Sequence, residues 1–468
     1  MIEEMTMMRT MINRSRWAAF IVLPFFAVTP RLYAQDTLRL DLKKALAIAF
    51  TESPTIKIAD KEIKKRQFAR KESLAALFPQ VNFTTDYNRT LKKQVMYMDV
   101  DMGDMDDMMP PGMEMDGMDD GFEVGRSNNW STGFYASVPL VNASLWKSLK
   151  ISATDVELAM EQARSSKIAM QSEVKKSFYA VLLANDSYHV FKQSYDNALE
   201  NYEDIQRKFE QGVVAEFDLI RADVRVKNTE PNVLQAENSR ALAQRRLKAL
   251  MGIDLEAPIC CEGELRDYEA QLFADYLSTD TTLAHNSDLK QLDLQRQQLS
   301  SSLQLRKFDY LPTLSLTGMY QWNAMSNDFK FKNYRWNPYS LIGLSLNIPI
   351  ISGGNKYYKI RETKISLEQM ELQRDDRQRQ LQLTVQQYMD NMKTCVKRYD
   401  AARKGVEQAK KGYLISQKRY DTGAGTLIEM NDAEFALTQA RLNQHQAIYD
   451  YMVAKADLEK VLGNALEE

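Results

Sequence analysis

The sequence predicts an α+β membrane protein built as an internal twofold repeat, with four strands and two long helical hairpins per chain. Three observations predict it. The first is a pair of matching strand-to-helix junctions, Phe134–Ala143 (FYASVPLVNA) and Leu341–Asn355 (LIGLSLNIPIISGGN). The second is the constancy of their spacing: Pro349 minus Pro139 is 210, Gly423 minus Gly212 is 211, and Gly463 minus Gly252 is 211. The third is the local agreement of RKFEQGVVAEFDL with KRYDTGAGTLIEM, and of RLKALMG with DLEKVLG. Upstream, Leu77–Tyr87 matches Tyr310–Tyr320 at an offset of 233, so the first copy carries 23 extra residues between its strands. A repeat of this length decides the architecture before any single element does.

The chain divides accordingly: residues 1–34 as a signal peptide, 35–252 as the first repeat, 253–283 as a linker, 284–463 as the second repeat and 464–468 as a tail. Within 1–34, Arg9, Arg14 and Arg16 precede the apolar run Trp17–Val28, and Leu32-Tyr33-Ala34 offers a cleavage site before Gln35. No later stretch reaches the ~18 apolar residues of a spanning helix, so any membrane crossing falls to strands. Charge is balanced, 61 basic against 63 acidic residues, which gives no signal for nucleic acid. Three cysteines, Cys260, Cys261 and Cys395, cannot form a disulfide framework and read as small half-buried residues.

Leu38–Ala76 reads as one or two helices, with apolar residues three and four apart and a break at Pro54. Four strands follow: Gln80–Lys92, Trp130–Val141, Pro312–Trp322 and Tyr339–Ile351. In the first, Val81, Phe83, Thr85 and Tyr87 alternate with Asn82, Thr84 and Asp86; in the fourth, Leu344, Leu346, Ile348 and Ile350 oppose Ser345 and Asn347. Aromatics crowd the strand ends at Tyr87, Trp130, Tyr135, Tyr320, Trp322, Trp336 and Tyr339. Such alternation with aromatic ends is the pattern of a membrane β-barrel.

The helical run from Ser144 to Gln211 would be about 100 Å long at 1.5 Å per residue. Its apolar positions step three and four apart: Tyr188, Phe191, Tyr195, Ala198, Tyr202, Ile205, Phe209. The second copy repeats the seam at Tyr399, Ala402, Val406, Ala409, Tyr413, Ser416 and Tyr420, a coiled-coil spacing. Val213–Met251 returns along a shorter limb, so Leu38–Ala76 and its counterpart Ala284–Phe308 are needed to complete the rod. Pro231 is expected to kink the returning limb. Gly212 and Gly423 mark the turns at the far tip.

Four strands cannot close a water-filled barrel, and open sheet edges cannot sit in lipid. The chain must therefore assemble, and three copies would supply twelve strands.

In the repeat, in Val138-Pro139-Leu140 and Ile348-Pro349-Ile350 followed by Ser352-Gly353-Gly354, and in the tips Phe209-Glu-Gln-Gly212 and Tyr420-Asp-Thr-Gly423, the sequence resembles the TolC-like outer-membrane efflux protein family. The likeness spans about Leu38 to Gly463. It implies a homotrimer with a 12-stranded β-barrel, four strands per chain, continuous with a long α-helical coiled-coil tunnel across the periplasm of a Gram-negative bacterium. It implies contact with outer-membrane lipid, a periplasmic adaptor and an inner-membrane pump, and no cofactor. Carried over by position, Glu429 and Asp432 match an acidic ring, Tyr420 a gate tyrosine and Asp218 a first-hairpin carboxylate. Gln211, Gly212, Val213, Thr422, Gly423 and Ala424 match the adaptor-contact tip. The family pattern has an arginine two residues beyond the tip glycine; this chain has Gly425 there, so closure is expected to rest on other contacts.

The extra residues fall in 93–126, a Met/Asp-rich segment expected as an extracellular loop. Met102, Met105, Met108, Met113 and Met115 are soft candidate ligands, and thioethers suit Cu(I) or Ag(I). A copper- or silver-specific duct of the same architecture is thus an alternative reading. A secreted periplasmic coiled-coil scaffold or adaptor is a rival of another class. An enzyme is not indicated: His189, His285 and His445 are scattered, and no nucleophile elbow or phosphate loop is present.

Overall fold

Four helices carry about half of the described residues in the computed structural model, which covers residues 38–97, 122–274 and 281–464. The segments taken as signal peptide and as soft-metal methionines lie outside the described residues.

In chain order the elements are β1 (Leu38–Leu40), α1 (Leu42–Glu52), α2 (Pro54–Ala75), β2 (Gln80–Arg89), β3 (Gln94–Met96), β4 (Phe122–Val124), β5 (Asn128–Val141), α3 (Ala143–Glu210) and α4 (Glu216–Met251). There follow β6 (Ile259–Cys261), a short 3-10 turn (Leu265–Tyr268), α5 (Gln271–Ala274), α6 (Ser287–Phe308), β7 (Thr313–Ser326), β8 (Asn337–Asn347), α7 (Asn355–Asp421) and α8 (Leu427–Leu462).

The long helices α3 and α7 have 68 and 67 residues, and each returns through a helix of 36 residues. No proline interrupts α3 or α7, and Asn142 caps α3 by accepting from the Leu145 amide at 3.0 Å. The returning helices stop short, and the start of an earlier helix takes over. Gly252 ends α4 at φ 73°, where an added Cβ would stand 2.8 Å from the Glu52 carbonyl oxygen at the head of α2. Gly463 ends α8 at φ 72°, with a Cβ position 2.0 Å from the His285 carbonyl oxygen at the head of α6. The α4 helix continues through Pro231, so the proline removes one ladder bond without ending the helix.

The main core forms where these junctions meet the middle of α3. Phe178, Val181 and Leu182 of α3, Leu247 and Met251 of α4, and Tyr451, Met452 and Leu458 of α8 are buried together with Leu40 of β1. Two elements here were not expected from the sequence. Leu38–Leu40 is a strand rather than the start of a helix, and it pairs in parallel with Ile259–Cys261. Both cover the core from the side. Cys260 is exposed, while Cys261 and Cys395 are buried, and all three are free thiols.

The four long strands form one antiparallel sheet in the order β2-β5-β7-β8. Its register assigns the two faces, because residues opposite one another in a ladder project to the same side. One face carries Val81, Phe83 and Tyr87 of β2, Trp130, Phe134, Ala136 and Val138 of β5, Leu316, Tyr320 and Trp322 of β7, and Ile342, Leu344 and Leu346 of β8. The other carries Asn82, Thr84 and Asp86, then Asn129, Ser131 and Ser137, then Ser315, Thr317, Gln321 and Asn323, then Ser345 and Asn347. The apolar face is bare: Ile342 is 81% exposed and Leu344 68%. Among the described residues no helix is long and apolar enough to cross a membrane.

The strand ends differ from expectation at two prolines. The fourth strand stops at Asn347, short of Ile351, because Pro349 cannot donate to a ladder. Pro139, at the matching position of a central strand, is kept inside β5 by a register shift between Pro139 and Val141. The first strand ends at Arg89, and Gln94–Met96 pairs separately with Phe122–Val124 at the root of the 93–126 segment.

Replacing Gly463 by Ala should cost about 1–3 kcal/mol, from the left-handed backbone alone. The clash with the His285 carbonyl adds to that. The readout is the midpoint for loss of the helical signal on heating the detergent-solubilised protein, and an unchanged midpoint would show that the α8–α6 junction is loose.

Candidate functional site

Both hairpins turn in the same way. At the first tip Gly212 adopts φ 74°, and the amide of Val213 donates to the Lys208 carbonyl at 2.9 Å. At the second, Gly423 adopts φ 73°, and the amide of Ala424 donates to the Arg419 carbonyl at 2.8 Å. This is the bond that closes a helix through a left-handed glycine. Gln211, Gly212, Val213, Thr422, Gly423 and Ala424 are all exposed on these turns.

The two tips pack on one another around a small second core of Ile205 (α3), Ala222 (α4), Leu427 and Met430 (α8). Tyr420 lies half-buried at its edge, with the Lys208 ammonium 5.6 Å from its ring centre. Lys208 is itself held by Asp204 at 2.7 Å, so a charged pair on the first hairpin rests against an aromatic of the second. Burial pushes the Tyr420 phenol above its ordinary range; Lys208 opposes this, and the carboxylates of Asp218, Asp204 and Asp421 reinforce it. The hydroxyl therefore stays protonated at neutral pH and available as a donor. Tyr420 and Asp218, each a gate candidate from the sequence, are thus electrostatic neighbours.

Glu429 is not a free carboxylate. It is the third residue of α8 and closes a capping box: Thr426 Oγ1 accepts from the Glu429 amide, and Glu429 Oε2 accepts from the Thr426 amide, each at 3.3 Å. The Arg419 guanidinium approaches Glu429 Oε2 at 3.7 Å and donates to the Ala424 carbonyl at 3.1 Å. Gly425 makes room for this: a Cβ there would lie 3.0 Å from Arg419 Cβ and 3.3 Å from Glu429 Oε2. A cation therefore reaches the tip from Arg419, six residues before Gly425. Asp432, one turn further along α8, is exposed. Asp218 sits in the first turn of α4, where a carboxylate also complements the helix dipole.

The sequence reading missed the most buried charge near the tip. Glu434 is 6% exposed. It accepts from Ser194 Oγ of α3 at 3.0 Å and from Arg225 Nη2 of α4 at 3.3 Å, tying three helices from both hairpins at one point. Two turns beyond, Arg441 of α8 donates to Gln193 of α3 at 2.6 Å. The signal was present. Leu427, Met430, Glu434 and Leu437 step three, four and three residues apart, which places a carboxylate in the apolar stripe of α8. Met102, Met105, Met108, Met113 and Met115 lie outside the described residues.

Comparison with known proteins gives a consistent result. The family model described as outer membrane efflux protein matches residues 45–253 and 279–464. The outer membrane protein TolC of Vibrio cholerae is 23% identical over 405 residues, covering 85% of this chain and 84% of that protein. The alkaline protease secretion protein AprF of Pseudomonas aeruginosa is 23% identical over 433 residues, covering 91% of this chain and 85% of that protein. Among solved structures, the CmeC outer membrane channel of Campylobacter jejuni superposes with a TM-score of 0.70 at 18% identity, covering 90% of this chain and 85% of that one. The open state of the MtrE outer membrane channel of Neisseria gonorrhoeae gives 0.66 at 16% identity, with 90% and 88% covered.

Removing Glu434 leaves Arg225 half-buried and unpaired. Glu434→Ala should cost roughly 2–3 kcal/mol locally, below the ~3–5 kcal/mol of a fully buried pair because Arg225 keeps some contact with water. Amide exchange at the tips of α4 and α8 should speed up by one to two orders of magnitude while the central core keeps its rate. Equal rates in both proteins would mean that the cluster does not hold the hairpins together.

Proposed function

The chain belongs to the outer membrane efflux protein family, and on that premise we propose that it is the exit duct of a tripartite efflux or secretion system, a homotrimer opened by a periplasmic adaptor and an inner-membrane pump. The family is one of outer-membrane channels rather than enzymes, and the rival reading of a soluble scaffold finds no support in it.

The observation that carries the proposal is the two-faced sheet with open edges. Its apolar face is continuous across all four strands, and its other face is lined mainly with Asn, Ser, Thr and Gln, interrupted by one row of Tyr135, Met319 and Leu341 and by Tyr339 and Met325. The edges β2 and β8 have no further strand beside them among the described residues. Unpaired backbone is not tolerated in lipid, so the edges must meet other copies. With neighbours antiparallel throughout, β8 of one copy runs antiparallel to β2 of the next and can extend the ladder. Three copies would give twelve strands with the polar face inward. The long helices, continuous with the strands, would extend that wall into the periplasm.

At the far end the tips would form the gate. Glu429 and Asp432 from three copies would place six carboxylates around the narrow mouth, with Tyr420 and Asp218 beside them. Clustered carboxylates in a constriction favour cations over anions. The exposed turns at Gln211–Val213 and Thr422–Ala424 would be the surfaces an adaptor engages.

Light scattering of the detergent-solubilised protein should give three chains per particle; a monomer that stays soluble after detergent removal would end the barrel reading. In planar bilayers the channel should prefer cations. E429Q with D432N should lower that preference several-fold at low salt, and R419A should raise it, since it uncovers a carboxylate. Preference unaffected by either variant would place the constriction elsewhere.

A further inference from the structure

The loop between β7 and β8 is folded back over the apolar face of the sheet, at the end remote from the helices. Ala324 stands in register with Trp130 on that face, and Asn128 lies on the same side two residues from Trp130. Both are covered, at 1% and 2% exposure, although most of the face is bare. The cover comes from the loop. Phe331 packs edge-on to Trp130 at 5.0 Å and stacks on Tyr334 at 4.9 Å, and Phe329 meets Tyr87 at 6.0 Å. Polar bonds fix the backbone. Asn128 Nδ2 and the Tyr334 hydroxyl both donate to the Asp328 carbonyl, at 3.2 and 2.6 Å, and the Ser127 amide donates to Asn327 Oδ1 at 3.0 Å.

The loop leaves much of its own apolar surface uncovered. Phe329 is 56% exposed and Phe331 51%, although each touches the sheet on one side. Lys330, Lys332 and Arg335 alternate with these aromatics, and all three are exposed. No ion pair is formed by any of the three among the described residues. Arg89, at the end of β2, adds a fourth cation over the Phe329 ring at 6.0 Å.

Aromatic rings prefer the boundary between hydrocarbon and headgroups, and cations just beyond it gain from anionic lipid. An apolar face edged by such a loop meets both conditions. We infer that the β7–β8 loop is a collar that binds acidic lipids of the outer leaflet. Phe329 and Phe331 enter the acyl boundary, and Lys330, Lys332 and Arg335 hold lipid phosphate groups. The inference rests on the sheet being a membrane wall. The competing occupant is the acidic 93–126 segment of the same chain, which begins and ends beside Arg89 and Asn128.

The test uses the full chain reconstituted in phosphatidylcholine vesicles with trace spin-labelled phosphatidylglycerol or phosphatidylcholine. The wild type should immobilise the acidic label preferentially. K330Q/K332Q/R335Q should lose most of that preference, a drop of several-fold at low salt. High salt should abolish the preference in the wild type itself, a readout that survives even if the triple variant assembles poorly. Equal immobilisation of both labels, or a preference that the triple variant and salt leave intact, overturns the collar. A preference that emerges only after deletion of residues 98–121 assigns the cations to the acidic segment instead and also overturns it. Failure of the wild type to enter vesicles at all would refute the membrane wall, a result distinct from the others.

Discussion

A backbone amide or carbonyl without a partner is costly in hydrocarbon, and this chain carries two rows of them. Among the described residues the edges β2 and β8 have no outer neighbour, and one face between them is apolar from Val81 to Leu346. Almost everything else follows from having to satisfy those edges. An even number of antiparallel strands makes the two edges complementary in direction, so copies of the chain can close on themselves. Each half of the chain delivers one strand pair and one helical hairpin: β2 and β5 with α3 and α4, then β7 and β8 with α7 and α8. Among the described residues no helix is long and apolar enough to cross a membrane.

The helical part solves a different problem. Helices of 68 residues need lateral partners along their whole length, yet each returning helix has only 36. The gap is filled by end-to-end stacking: α4 abuts the start of α2, and α8 abuts the start of α6, through the left-handed glycines Gly252 and Gly463. The largest core sits beside these joints, where Phe178, Met251, Tyr451 and Leu462 are nearly inaccessible to solvent. The joints are thus buttressed where the rod is discontinuous, while the tips depend on a core of only four buried residues.

Local chemistry at constant offsets was the most legible part of the sequence. The glycine turns at Gly212 and Gly423 and the N-terminal ends of the long helices came directly from residue type and spacing. The four strands were placed to within a few residues from alternation alone. The parallel pair Leu38–Leu40 and Ile259–Cys261 was not, because its partners are about 220 residues apart and each is three residues long. Pro139 and Pro349 look equivalent in sequence but have different fates: Pro139 stays in β5, paired with Ser315 of β7 beside a register shift, whereas β8 ends at Asn347 before Pro349. At the tip, Glu434 could have been found as a charge in an apolar stripe. Arg419 could not, because its approach to Glu429 depends on the space that Gly425 leaves.

These tip contacts differ in what they can hold. Arg419 and Glu429 are 54% and 47% exposed at 3.7 Å, and a pair so open to water is worth about 0–1 kcal/mol. Glu429 also serves its own helix cap, so it gives little to the link between hairpins. Asp432 is exposed and forms no ion pair among the described residues. What holds the two hairpins together at the tip is therefore what is shielded: the Ile205, Ala222, Leu427 and Met430 cluster, and Glu434 with Ser194 and Arg225. The exposed carboxylates and the shielded contacts thus share the same turns of α8: Leu427 and Met430 flank Glu429, and Glu434 lies two residues beyond Asp432. An opening device acting on the exposed turns would then have to pull the hairpins apart at Glu434, where the cost of separating a buried charge from its partners is greatest.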